Sequence, residues 1–335
     1  MKKIFLTVFI VSALFISCEK NNDTGGGTED KTISMGSNHI EDVYYSLSGG
    51  EVTSYTRSDW DIAFSVPLQT ASILINEGDG VLLYSYGDTN SWDAVDTTGM
   101  SAWTPLYNDK SDWMDGAFNR YSEGGFNYGW GTYDHAVTYS VWGDSIYVIR
   151  LTNAEVKKLF IRVKDGYTNT YEMRWADIDG SNQVDASCSA ANYTDTKHFI
   201  QYSIVNQEVV EAQPDIESWD LLFTKYIVQI PVGSGVVIDY PVVGVMLNPD
   251  LQGLVVEGVD PETSIYTDTS EDFSDQADII GWDWKISDSE THEISLVENT
   301  SYFVKRSDTE IYRIYFTAYE SEPDGEISFK VDKVE

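Results

Sequence analysis

Apolar and polar residues alternate with a period of two in Thr138-Tyr139-Ser140-Val141, Ser145 to Ile149, Ile311 to Phe316 and Ile327 to Val331. Such segments place alternate side chains on opposite faces and predict half-buried strands. Clusters such as Ser48-Gly49-Gly50 and Pro323-Asp324-Gly325 separate them and supply the backbone freedom of tight turns. Helical periodicity is scarce after the first 17 residues, with short turns expected around 109–118 and 272–279. The pattern predicts an all-β protein of mainly antiparallel strands. Val236 to Asn248 reads equally as paired strands or as a cap. An aromatic content of 13% agrees, because Tyr and Trp pack well on pleated surfaces.

The elements recur. Ser58-Asp59-Trp60-Asp61-Ile62-Ala63-Phe64-Ser65 reads like Glu217-Ser218-Trp219-Asp220-Leu221-Leu222-Phe223-Thr224, and each follows a Tyr-Ser-Leu/Ile segment, Tyr45-Ser46-Leu47 or Tyr202-Ser203-Ile204. The ends correspond too: Ser145 to Arg150 matches Ser301 to Arg306, and Thr170 to Trp175 matches Glu326 to Val331. So long a period predicts two tandem domains, 37–182 and 190–335, rather than a short-repeat solenoid. Trp60 and Trp219 are expected to fill the core, and Asp61 and Asp220 to accept backbone hydrogen bonds at a strand start.

Met1-Lys2-Lys3 precedes an apolar run, Ile4 to Ile16, too short to span a bilayer and ending at Ser17-Cys18. This is the layout of a lipoprotein-type signal peptide over 1–17, with Cys18 the lipidation site. Residues 18–36 read as a flexible tether. Cys188, the remaining cysteine, is a bystander thiol. A net charge of −34 repels phosphate backbones and argues against nucleic acid.

No nucleophile elbow, phosphate loop or zinc motif occurs, and nothing supports an enzyme. Asp177 to Asp185 is rich in oxygen ligands, but its glycine falls at the wrong position for a calcium-binding EF-hand, so it reads as a polar turn. The Trp- and Tyr-rich stretch from Trp92 to Trp142, with Trp103, Trp113, Tyr128 and Trp130, is a candidate for adhesion to a glycan or protein. His39 and His198 are expected in exposed turns and His292 in a solvated hairpin.

The Tyr-Ser-Leu/Ile, Trp-Asp-Ile-Ala-Phe order, with the final strand pair around Tyr302-Phe303-Val304-Lys305 and Tyr312-Arg313-Ile314-Tyr315-Phe316-Thr317, resembles the HmuY family of bacterial haem-binding lipoproteins. The resemblance implies two HmuY-like β domains in an outer-membrane, surface-exposed lipoprotein that captures haem and passes it to an outer-membrane receptor. It also implies two axial side chains on the iron and an aromatic slot for the macrocycle. Gly129-Trp130-Gly131-Thr132-Tyr133-Asp134-His135 matches the family's Gly-Trp to His spacing. His135 is then an axial ligand, with Trp130 and Tyr133 beside the haem; Met114, or alternatively Met100, is the second ligand. The second copy has Ser287 or Asp288 where the histidine would stand. Three readings remain open: haem capture, an adhesive module, and a scaffold that has lost its ligand.

Overall fold

The computed structural model describes residues 28–335 apart from 234, 267–272, 289–290 and 292. The signal segment, Cys18 and His292 lie outside the described residues. The chain is all-β, and every helical segment among the described residues is a short 3-10 turn. Both short turns expected from the sequence are present among the described residues, one as the 3-10 segment Ala117–Asn119 and one closed by the Ile279 N–H donating to Gln276 O.

In chain order the strands are β1 Glu29–Ser34, β2 Glu41–Tyr45, β3 Val52–Thr56, β4 Ile62–Ser65, β5 Ile73–Ile75, β6 Leu82–Asp88, β7 Gly131–Asp134 and β8 Ser140–Gly143. Then come β9 Ser145–Arg150, β10 Val156–Asp165, β11 Thr170–Asp177, β12 Val184–Ser189, β13 Phe199–Ser203, β14 Glu208–Val210, β15 Leu221–Gly233 and β16 Val236–Leu247. The last are β17 Gln252–Glu257, β18 Lys285–Ser287, β19 Ile294–Leu296, β20 Thr300–Ser307, β21 Glu310–Glu320 and β22 Glu326–Lys333. All the pairings are antiparallel.

The pairing does not follow the tandem division. Residues 18–36, expected as a flexible tether, are corrected over Glu29–Ser34: this is strand β1, paired with β22 and sending Ile33 into the core, and β2 lies against β15, so the opening of the chain belongs to the sheets of the second sequence unit. Reciprocally, β12 lies against β11 and β13 against β4. One core is built from Ile62 to Ile204, the other from Ile33 to Leu47 plus Leu221 to Val331. The expected domains 37–182 and 190–335 are therefore corrected: the leading β-hairpins of the two units are exchanged, and the first body is a continuous stretch ending near Gln213.

The aspartates after the two tryptophans receive the exchanged hairpins. The Asp61 N–H donates to Tyr202 O and the Asp220 N–H to Tyr45 O. Asp61 Oδ2 accepts from the N–H of Ile204 (2.8 Å) and of Val205, and Oδ1 from the Thr152 N–H and hydroxyl. Asp220 Oδ2 accepts from the Leu47 N–H at 2.6 Å, while Oδ1 pairs with Arg306 Nε at 2.9 Å. Asn76 and Asn248 close the same turns with matching bonds, to Arg57 O and Trp60 O in one body and Ile216 O and Trp219 O in the other. The expected role of the aspartates is present, with its partner in the other unit.

Of the two tryptophans expected in the core, Trp219 is fully buried and Trp60 only half-buried, and both belong to smaller clusters than the two main cores. Ile62 and Phe64 enter one core and Leu221 and Phe223 the other, so Ala63 and Leu222 face outward, towards the seam between the bodies. Half-buried Trp60 and buried Trp219 join these seam clusters. Trp113 touches three of them at once and donates its Nε1–H to Leu247 O at 2.9 Å. His198, expected in an exposed turn, is buried here with Nε2 3.1 Å from Asn248 Oδ1, and burial lowers its pKa. His39 is half-buried, 3.1 Å from the Tyr319 hydroxyl, and burial lowers its pKa to about 4.

The bodies differ at the hairpin that follows each Trp-Asp segment. Asp61 and Asn76 are joined by the short β4–β5 turn, whereas Asp220 and Asn248 bracket the long β15–β16 arm, which settles the 236–248 segment as strand. Beyond Ile230 the arm is exposed, with Val232, Val236, Val237 and Tyr240 each near half accessible.

Two outcomes follow. Residues 57–213 expressed alone unfold cooperatively in a thermal melt followed by circular dichroism, whereas 37–182 does not, because β4 loses β13 and the β2–β3 hairpin loses β15; a cooperative 37–182 fragment contradicts the exchange. Asp61→Ala strands the buried Ile204 N–H, at a cost of roughly 1–3 kcal/mol, together with the part-buried N–H groups of Val205 and Thr152, and is expected to lower the melting temperature far more than exposed Asp59→Ala.

Candidate functional site

The β7–β8 hairpin is shaped by Asp134, whose carboxylate accepts from the N–H groups of Ala136, Val137 and Thr138. Its last turn residue, Tyr139, has φ +52°, a left-handed conformation uncommon for a bulky side chain. The β10–β11 turn is built the same way, with Asp165 accepting from Tyr167 and Thr168 N–H. The two turns touch at Gly166, where a Cβ would stand 1.6 Å from Tyr139 O and is therefore forbidden. Tyr167 then lies edge-on to Tyr139, with ring centroids 6.0 Å apart.

These turns, Tyr128 before β7 and the 68–70 segment of the β4–β5 turn enclose an open pocket of about 450 Å³. Its walls carry Tyr128, Tyr133, Tyr139, Tyr167 and Val141, with Lys164 beneath. This volume lies in the range of small-molecule sites, and the lining is aromatic with few polar groups. The β4–β5 turn is held by the exchanged segment, since the Val66 N–H donates to His198 O at 2.8 Å.

Lys164 is 2% exposed. Its ammonium donates to Pro67 O at 2.8 Å and to Thr70 O, and lies 5.1 Å from the Tyr171 ring centre. Alternation from Leu159 and Ile161 would send it outward. A bulge between Ile161 and Val163 rephases β10 and turns it inward beside core residue Tyr171.

The sequence-predicted residues do not converge. Tyr133 lines the pocket, and His135, two residues on, is exposed and stacked on Phe126 at 4.3 Å. Trp130 is wholly buried, with Nε1 bonded to Ala71 O, and has no face for a ligand. Met114 packs at the seam with Trp60, Ala63, Leu74 and Phe199, and Met100 packs near Trp103 and Tyr84 on another cluster. The His135–Met114 clamp for haem is therefore not assembled, and these residues do not fit an axially ligated haem. In the second copy's Gly281-Trp282-Asp283-Trp284 segment, Trp284 is fully buried, while Trp282 is only partly buried. Among the described residues no group of three or more His, Cys, Asp or Glu is arranged to hold a metal ion. The Asp177 turn is occupied by its own partners, Lys157, Ser181 and Asn182. Cys188 is buried and free, its thiol pushed up to about 12 by burial.

Of the adhesion candidates, Tyr128 alone lines the pocket; Trp113 lines the seam, where a cleft encloses only about 80 Å³. Glu77 spans this cleft: Oε2 accepts from the Asn108 N–H of the first body and Oε1 from the Ile227 N–H of the second. Burial raises its pKa to about 7.

Neither a family model nor a curated protein matches the chain. Among solved structures, the crystal structure of an apo HmuY analog from Tannerella forsythia aligns over 93% of this chain and 98% of its own, at 8% identity and a TM-score of 0.24. A likeness of that degree carries no argument about ligand or function.

Glu77 gives a pH test of the seam. Its folded pKa of about 7 lies above the ordinary 4.5, so its contribution to stability is complete below about 4.5 and is lost as pH rises to about 7. Urea melts from pH 4.5 to 8 should show this loss in the native chain and a flatter profile in Glu77→Gln; equal slopes in both would remove Glu77 from the seam's energetics.

Proposed function

We propose that the protein is a non-catalytic ligand-binding module of the bacterial cell surface, whose site is the tyrosine-lined pocket of the first body. The observation that carries this reading is the pocket: four tyrosines around an open concavity of about 450 Å³, two of them, Tyr139 and Tyr167, on turns locked together by carboxylate caps and by Gly166. Tyrosine rings give large, rigid contact area at little entropic cost, and their hydroxyls stay wet at a rim. The pocket therefore suits a ligand that offers a flat apolar face.

The signal-like segment Met1 to Ser17 supports export, and Cys18 supports anchoring in the outer membrane by a lipid. Haem, the ligand implied by the sequence resemblance, fits this reading as one flat ligand among others, held by tyrosine faces without the His135–Met114 clamp. Delivery to an outer-membrane receptor is the corresponding partner.

The test is a titration of the purified chain with haemin, protoporphyrin and an immobilised glycan panel. Saturable one-to-one binding of a ring-bearing ligand is expected, weakened roughly tenfold in Tyr133→Ala and Tyr167→Ala and unchanged in Met114→Ala. Binding that is lost in Met114→Ala but kept in Tyr167→Ala would overturn the assignment, as would no binding to any panel member.

A further inference from the structure

The chain carries 55 acidic residues against 21 Lys and Arg, so a buried amine should easily find a counter-ion. Most do: buried Arg57 pairs with Asp42 at 2.7 Å and Arg313 with Asp332 at 2.9 Å. Two further lysines lie on aromatic rings, and each has a carboxylate facing it electrostatically: Lys158, as buried as Lys164 and 4.7 Å from the Trp92 ring centre, has Asp179, and Lys285, over Trp284, has Asp283.

Lys164 is the contrast. Among the described residues no carboxylate pairs with it; two of its three protons go to main-chain carbonyls, Pro67 O and Thr70 O. The groups around it are Val141 from β8, Tyr171 from β11, the β4–β5 turn, and Tyr128, Tyr133, Tyr139 and Tyr167 across the pocket. None is an acid. The neighbouring Asp165 spends its carboxylate on Tyr167 and Thr168. A buried ammonium without a counter-ion is costly, and this one lies on the wall of the pocket that carries the four tyrosines.

We propose that the pocket selects a ring-bearing anion, a planar or cyclic ligand carrying a carboxylate, sulfonate or phosphate that meets Lys164 while its ring lies on the tyrosines. This rests on the pocket being the binding site. The acidic field of the whole chain discourages anions at long range, so selection comes from the short charge-assisted contact. No acid on the wall offers a cation the same contact.

Burial alone lowers the Lys164 pKa to about 7. An anion beside the amine favours its charged form, so binding takes up a proton and affinity falls as pH rises through about 7.

The experiment uses the full chain and two fluorescent probes of similar planarity, anilinonaphthalene sulfonate as the anion and Nile red as the neutral ring. The sulfonate is expected to bind at one site, about tenfold more weakly in Lys164→Met, with affinity retained in Lys164→Arg. It should also bind about tenfold more weakly at pH 9 than at pH 6, while Nile red changes in neither comparison. Tyr167→Ala should weaken both probes. Thermal melts of each variant separate lost binding from lost folding. Sulfonate affinity indifferent to Lys164→Met and to pH, with Nile red still sensitive to Tyr167→Ala, would overturn the anion assignment and leave the pocket standing. If neither probe responds to Tyr167→Ala, the pocket itself falls.

Discussion

The hydrogen bonds that Asp61 and Asp220 make to the opposite repeat hold the molecule in its arrangement. Each carboxylate sits where a strand begins and binds backbone N–H groups of a hairpin that belongs, by sequence, to the other unit. A buried carboxylate needs such donors, and the buried N–H groups need an acceptor, so neither side is separable from the other without a large desolvation cost. The Trp113 side chain and Glu77 then fill and bridge the space left between the two clamped sheets.

Exchange decides where a ligand site is available. In the first body the clamped strand continues into a short turn held by the incoming His198 carbonyl, and that turn forms one wall of the tyrosine pocket. In the second body the corresponding hairpin grows into the β15–β16 arm. Fold and clamp are duplicated; the pocket is not. The same physics explains why the repeated Trp-Asp segments are architectural while the candidate chemistry is confined to one copy.

The strands were legible because alternation survives in them: β8, β9, β21 and β22 fall on the segments whose period is two. The repeat was legible for the same reason. Partner choice was not, since Tyr45 and Tyr202 sit in near-identical segments and either pairing satisfies the same local pattern. The site was only partly legible. Tyr133 and Tyr128 lie in the aromatic stretch that stands out in sequence, but Tyr167 comes from a distant turn, and Lys164 reads as an outward residue until a bulge turns it in. His135 matched a spacing and Met114 offered a thioether beside an aromatic, but neither signal carries the pairing that sets one on Phe126 and the other at the seam.

The exchange itself is tested most directly by a disulfide across β1 and β22. The Thr32 and Ser328 hydroxyls are 2.8 Å apart and exposed, whereas an unexchanged chain would set Thr32 in the place of Ser187, beside Glu172. With Cys18 and Cys188 replaced by alanine, the Thr32→Cys, Ser328→Cys chain should form an intramolecular disulfide in the monomer under mild oxidation, and the Thr32→Cys, Glu172→Cys chain should not. Mass spectrometry of the non-reduced monomers reads the result; efficient closure of the Glu172 pair with an open Ser328 pair would contradict the account.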